Sequence, residues 1–334
     1  MINDLLNKIE NMNNLVELHL HLDGALSVDN CRKLAELQNI NIPSDDNELL
    51  SIISVSKNCH DLNEFLTKFE FPLSLLQTTE SIKLSIKNLQ EELIKQGLIY
   101  AEIRFSPQLH TKKGLTQEEV VQAAIEGLNL SKLKCNLILC CMRGKNNNKE
   151  NIDTIKLASK YINRGVCAVD LAGAEGLYST SEYENLFKLA NELNVPFTIH
   201  AGEADGANSV YDAIRFGAKR IGHGVRSSED SKVLDLIKEK EVTLEICPTS
   251  NICTSVYEKI SDMPIKMFLD NHIKITINTD DPIICNTNLK EELKKIAVVF
   301  NLNYDNIINF QLNAVNASFA SKKLKEELID LLKN

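Results

Sequence analysis

The chain of 334 residues is 43% hydrophobic and 25% charged, a composition that can bury a sizeable core and argues against wholesale disorder. Its formal net charge of −9 at pH 7 repels phosphate backbones, so a nucleic-acid-like substrate should be a small free molecule and not a polymer. Residues 1–14 lack the apolar core of a signal peptide, and no run of about eighteen apolar residues occurs, which predicts a cytoplasmic protein without a membrane span. The nine cysteines are odd in number and thinly spread, without a Cys-x-x-Cys pair, and read as reduced, mostly core residues.

The first informative stretch is Val16-Glu17-Leu18-His19-Leu20-His21-Leu22-Asp23-Gly24. Its alternation puts Val16, Leu18, Leu20 and Leu22 on one face of a strand and Glu17, His19, His21 and Asp23 on the other. A half-buried strand ordinarily turns Lys or Thr to water. Here the polar face is built of acids and imidazoles, and two histidines at this spacing can grip one divalent ion without distorting the backbone. A His-x-His pair also occurs without any metal, so the rest of the chain has to decide.

From Ser27 to about Gly97 the pattern is mostly helical, with Leu62, Phe65, Leu66, Phe69 and Leu73 at helical spacing. Short apolar runs then alternate with amphipathic segments. Strands are predicted at Val16–His21, Ile99–Phe105, Cys135–Met142, Val166–Leu171, Phe197–His200, Lys219–His223, Val242–Cys247 and Ile273–Thr279. Helices fall between them at Gln117–Ser131, Asn151–Asn163, Ser181–Asn194, Ser209–Phe216, Asp230–Glu239 and Pro264–Asn271. Eight such units predict an α/β fold: a (β/α)8 barrel forming a single domain over residues 1–334. A helical insertion follows strand one, and extra helices pack outside from Asn288 to Asn334. An open doubly wound sheet is the rival, but it gives no reason for eight units, and no Gly-x-Gly-x-x-Gly follows strand one.

In such barrels chemistry sits where strands end. Strand one ends in His19-Leu20-His21-Leu22-Asp23-Gly24, strand four in Asp170-Leu171-Ala172-Gly173, and strand five in His200-Ala201-Gly202-Glu203. Strand six ends in Gly222-His223-Gly224 and strand eight in Asn278-Thr279-Asp280-Asp281-Pro282. Each alone is explicable as a cap or tight turn, yet a closed barrel would bring all of them to one mouth. His19, His21 and His200 then supply neutral nitrogens, and Asp280 the carboxylate that completes a site with room for water. No lysine stands at the end of strand four to bridge a second metal, so one ion is expected. Zinc is the first choice, and iron and cobalt also accept such donors. A zinc ion makes hydroxide available at neutral pH, which points to hydrolysis. His223 is placed to orient the water or take its proton, and Glu203 to act as general acid. His60, His110 and His272 fall outside this set and read as ordinary surface or core residues.

These residues resemble the adenosine deaminases of the amidohydrolase superfamily. The resemblance rests on HLHLDGAL at His19 to Leu26, NEFLTKF at Asn63 to Phe69, EIRFSP at Glu102 to Pro107 and DLAGAE at Asp170 to Glu175. It continues through HAGE at His200 to Glu203, GHG at Gly222 to Gly224, CPTSN at Cys247 to Asn251 and NTDDP at Asn278 to Pro282. The resemblance implies attack of water on C6 of an adenine ring with loss of ammonia, in purine salvage. It implies one zinc on His19, His21, His200 and Asp280, with Glu203 protonating purine N1 and His223 assisting the water. By the same resemblance Asp281 bonds N7, the Gly173 backbone meets N3, and Asp23 holds a ribose hydroxyl. Leu62, Phe65, Leu66 and Phe69 look like the family's apolar lid, although a buried helix face shows the same pattern. The expected substrate is adenosine and also 2′-deoxyadenosine, with adenine or 5′-methylthioadenosine as the alternative on the same scaffold. A carboxylate at Asp23 disfavours a phosphate there. Ala174 departs from the Gly-Asp-Glu often seen in the family and leaves that loop's contacts open.

Overall fold

The computed structural model describes residues 2–55, 59 and 62–333 of the chain; His60 lies outside them. Eight strands appear: β1 (Leu15–His21), β2 (Leu98–Phe105), β3 (Lys134–Met142), β4 (Val166–Ala172), β5 (Thr198–Ala201), β6 (Arg220–His223), β7 (Thr243–Ile246) and β8 (Lys274–Ile277). All neighbours pair parallel, in two four-stranded sheets ordered β1-β2-β3-β4 and β5-β6-β7-β8. Single parallel bridges join the sheets, Val169 to Phe197 on one side and Leu20 to Asp280 on the other. The predicted barrel is thus present as two halves with narrow seams.

Both seams have local causes. Pro196 has no N–H to extend a ladder, and only its carbonyl is used, accepting from Val169 N at 3.0 Å. At the other seam Asp280 adopts φ 62°, which bends the chain out of strand geometry just past β8. Its backbone still exchanges two bonds of 2.8 Å with β1, giving N–H to His19 O and receiving His21 N–H.

The strand boundaries match the predicted ones to within about two residues. One difference matters for the site. Leu22 and Asp23 do not continue the alternation of β1: Leu22 is helical in backbone, and Asp23–Ala25 forms a 3-10 turn where the chain rounds the barrel rim. The return helices are Gln117–Leu128, Asn148–Tyr161, Glu184–Glu192, Ala207–Phe216, Ser231–Glu239 and Ile265–Asp270. The predicted helix at Ser181–Asn194 begins instead as a 3-10 turn at Thr180–Tyr183, and helices at Ile2–Glu10 and Pro248–Cys253 had no prediction. Helix starts carry their own signals: Thr78 and Thr116 close capping boxes with Ser81 and Glu119. The insertion after β1 holds the helices Val28–Gln38, Asp46–Ile53, Leu62–Leu66, Glu70–Leu75 and Thr79–Lys95. The tail forms Leu289–Val299, Tyr304–Ala317 and Lys322–Lys333. Among the described residues no helix is long and apolar enough to cross a membrane.

A parallel sheet covered by helices has no solvent face, and β1 is buried on both. Val16 and Leu18 join Tyr100 against Ala314, Val315, Leu328 and Leu332 of the tail. Glu17, His19, Glu102, Arg104, Asp170, Arg220 and Glu245 are buried too, packed inside the barrel where apolar layers are usual. Arg104 donates to Asp170 Oδ2 and Glu245 Oε2, both at 2.8 Å, and to Leu18 O at 2.7 Å. Arg220 donates to Glu245 Oε1 at 2.6 Å, to Glu102 and to Leu18 O at 3.1 Å. Removing one partner from such a set leaves buried charges uncompensated. Arg220→Met is expected to lower unfolding free energy by about 3–5 kcal/mol; urea denaturation would read it as an earlier midpoint, and an unchanged midpoint would show that Glu102 and Glu245 need no such partner.

Candidate active site

The rim beyond the strand ends brings the predicted site residues together. His19 Nε2 and His200 Nε2 are 3.0 Å apart, and His21 Nε2 lies 3.2 Å from His200 Nε2. Asp280 Oδ1 sits 3.0 Å from His19 Nε2 and 3.3 Å from His21 Nε2. Asp280 Oδ1 is buried and, among the described residues, has no hydrogen-bond partner. Lone pairs crowded this closely away from water repel unless a cation lies among them, so the donor set fits a metal ion. A second, overlapping set exists: donor atoms of His19, His200, His223 and Asp280 all lie within 4.8 Å of one another. His223 occupies the edge, its Nε2 3.7 Å from Asp280 Oδ2 and 3.6 Å from Glu203 Oε2.

The charged barrel interior aims these groups. His19 donates from Nδ1 to Glu245 Oε2 at 2.8 Å, which turns its Nε2 lone pair to the cluster. His200 Nδ1 lies 2.9 Å from Asp170 Oδ2. Burial pulls the His19 imidazole down and His200 to about 3, so both are neutral donors. Burial would raise Glu245, but Arg220 and Arg104 hold its carboxylate well below the usual range. Asp280 accepts from Ser250 Oγ at 2.7 Å through its other oxygen.

The turns that present these groups are tight. His223 and Asp280 both hold left-handed backbone, φ 59° and 62°, a conformation that non-glycine residues adopt less readily than glycine. A Cβ on Gly222 would sit 3.0 Å from His19 Cε1 and 3.2 Å from His200 Cα. A Cβ on Gly24 would fall 1.8 Å from Asp281 Oδ1.

Beside the cluster lies a cavity of about 290 Å³, at the small end for a ligand site. His21, Asp23, Gly173, Glu203, His223, Asp280 and Asp281 line it, and Leu62, Phe65, Leu66, Phe69 and Leu73 close its apolar side. The insertion therefore serves as the wall of the cavity, and Phe65 is also a fully buried packing residue. Burial pushes Glu203 up to about 7. Burial, reinforced by the Asp280, Asp23 and Glu203 carboxylates, pushes Asp281 well above its ordinary value. Asp23 Oδ1 and Asp281 Oδ1 are both buried without a partner among the described residues. Of the histidines set aside by sequence, His110 is buried with Nδ1 2.8 Å from Leu76 O, and His272 is exposed.

Sequence reasoning missed the residues beneath the site. Arg104 and Glu245 interrupt otherwise apolar strands, which is a signal for a charged barrel interior. Glu175 follows Gly173 and Ala174, and points away from the cavity: it accepts from the backbone N–H groups of Gly202, Glu203, Ala204 and Asp205 at 2.7, 2.9, 2.7 and 3.0 Å.

Imidazoles and a carboxylate close enough to hold a cation, a carboxyl of raised proton affinity and an apolar slot at a barrel mouth fit a metal-assisted hydrolase acting on a small molecule. A family model for adenosine deaminase matches residues 14–334, and the chain belongs to that family of hydrolytic deaminases. It is 43% identical to an adenosine deaminase of Haemophilus ducreyi over 94% of each chain, and 38% identical to one of Clostridium botulinum over 94% of this chain and 96% of that one. Among solved structures, adenine deaminase from Arthrobacter aurescens superposes with a TM-score of 0.87 at 26% identity, covering 96% of this chain and 98% of the other.

The close approach at Gly24 gives a direct check on the cavity. Gly24→Ala is expected to displace Asp281 and cost turnover roughly 100-fold while the metal content, measured by atomic emission, stays unchanged; full turnover would show that the Asp281 position is dispensable.

Proposed function

We propose that this chain, as one hydrolase domain over residues 1–334, converts adenosine, and 2′-deoxyadenosine with it, to inosine and ammonia using one zinc ion. The observation that carries the reading is the meeting of His19, His21, His200 and Asp280 with His223 and Glu203 on one cavity wall. Zinc bound to the four donors would supply hydroxide near neutral pH by lowering the pKa of water from 15.7 to about 7. His223 stays outside the ligand set in this reading. Asn251 Nδ2 donates to its Nδ1 at 3.1 Å, which leaves the proton on the Nε2 that faces Glu203 and Asp280.

The remaining roles belong to this chain's carboxyl groups and backbone. Glu203, raised to about 7, gives its proton to purine N1, which draws electrons from C6 as the C6–O bond forms; the proton left on the added oxygen then passes to the amino nitrogen as the C6–N bond breaks, so that ammonia leaves and a C6 carbonyl remains. Purine N7 only accepts, so Asp281 must donate to it, and its raised affinity for a proton supports that role. The Gly173 N–H meets N3. Asp23 accepts from a ribose hydroxyl. Adenine would leave the buried Asp23 oxygen unpaired, a cost of about 1–3 kcal/mol, and is ranked below adenosine; 5′-methylthioadenosine keeps its 2′- and 3′-hydroxyls and stands as the alternative on the same scaffold. The buried thiols of Cys140, Cys141, Cys167 and Cys247 suit a reducing, cytoplasmic setting.

The ultraviolet spectrum of adenosine is expected to shift to that of inosine on adding zinc-loaded protein, and a chelator is expected to stop the shift. No change with adenosine but turnover of adenine or 5′-methylthioadenosine would transfer the reading to that substrate. Glu203→Gln is expected to lose turnover by roughly 100-fold or more with zinc retained, and a fully active variant would remove the acid role. Metal analysis separates the two donor sets: His21→Ala is expected to lose the ion and His223→Ala to keep it, and the reverse would exchange their assignments.

A further inference from the structure

The acid Glu203 stands on the loop Gly202 to Gly206, which links β5 to the helix Ala207–Phe216 and has no regular structure of its own. Four successive backbone N–H groups of that loop point inward to one carboxylate, that of Glu175. Gly202 N reaches Oε1 at 2.7 Å; Glu203, Ala204 and Asp205 N reach Oε2 at 2.9, 2.7 and 3.0 Å. Ser209 donates its hydroxyl to Glu175 Oε1 from the first turn of the following helix. Consecutive N–H groups curled round an anion form a compact cradle, and charge-assisted bonds of this kind are stronger and more directional than neutral ones. Glu175 is 1% exposed and belongs to the loop after β4, so the acid loop is held from a different βα unit.

The brace is itself tied to the metal donors. Ser209 Oγ lies 2.6 Å from Thr180 Oγ1, which receives Arg143 Nη2 at 2.8 Å. The same Nη2 donates to His200 O at 2.6 Å. One chain of bonds thus sets the height of Glu203 relative to His200. We propose that Glu175 is a positioning residue for the deamination, fixing the Glu203 carboxyl against the purine ring without touching substrate itself. This rests on the reading of Glu203 as the general acid.

A double-mutant cycle on zinc-loaded protein with adenosine tests it, because positioning acts only through the residue positioned. Glu175→Gln keeps the shape but turns an NH2 group toward N–H donors. It is expected to lower kcat about tenfold or more, with KM changed less than about threefold, zinc content unchanged, and less than about a twofold further loss when added to Glu203→Gln. Equal losses in both backgrounds, or kcat retained in the single variant, would overturn the positioning role while leaving the acid role intact. A fully active Glu203→Gln would overturn both. If Glu175→Gln does not fold, Ser209→Ala, which removes one bond to Glu175, is carried through the same cycle: a kcat loss confined to the Glu203 background supports the proposal, and no loss or an equal loss in both overturns it.

Discussion

The carboxylate of Glu245 is the contact on which the rest of the molecule depends. It accepts from His19, Arg104, Thr198 and Arg220, and so joins β1, β2, β5 and β6 to β7 inside the barrel. Its charge is affordable there only because two guanidinium groups face it, and they stay inside only because Glu245, Glu102 and Asp170 answer them. An apolar interior of the same volume would hold the strands together as well. It would leave the His19 ring free to choose its tautomer, and a metal donor needs that choice made in advance. The fold therefore keeps an electrostatically demanding interior at the point where the chemistry needs orientation.

Above that interior the backbone bends sharply to deliver its groups. His223 and Asp280 take left-handed conformations that cost energy in a free chain, and Gly24 and Gly222 are residues where no side chain fits. The expense buries two acids, Glu203 and Asp281, whose proton affinities are raised by burial itself, and it sets them beside a third, Asp280, which accepts from Ser250 through one oxygen and turns the other to the cation site. Burial that penalises one carboxyl is thus an asset for another. Which of the two it becomes depends on the neighbour.

Much of this was legible in the order of residues. The alternation of β1 and the polar groups closing strands one, five, six and eight located the rim, and a barrel was the arrangement that made them neighbours. Helical spacing from Leu62 to Leu73 marked the cavity wall. What could not be read was anything decided by distant partners. Arg104 meets Glu245 and Arg220 meets Glu102 across more than a hundred residues, and a lone charge in a strand has no local sign of what will neutralise it. Glu175 escaped for a related reason: its partners are backbone N–H groups, which every residue has. The turn at Leu22 was hidden because the alternation in sequence runs on past the point where the barrel ends.

The seams carry a consequence of their own. β1 to β4 form one half of the barrel and β5 to β8 the other, and single bridges are the backbone ladder between them. The proposed donors are divided across that boundary, with His19 and His21 from the first half and His200 and Asp280 from the second. An ion held by all four would act as a rivet between two half-barrels, stiffening the closure where hydrogen bonds are fewest. Loss of the ion would then be felt as a loosening of the two halves against each other, first at the amides of His21, Val169 and Asp280, before either half came apart.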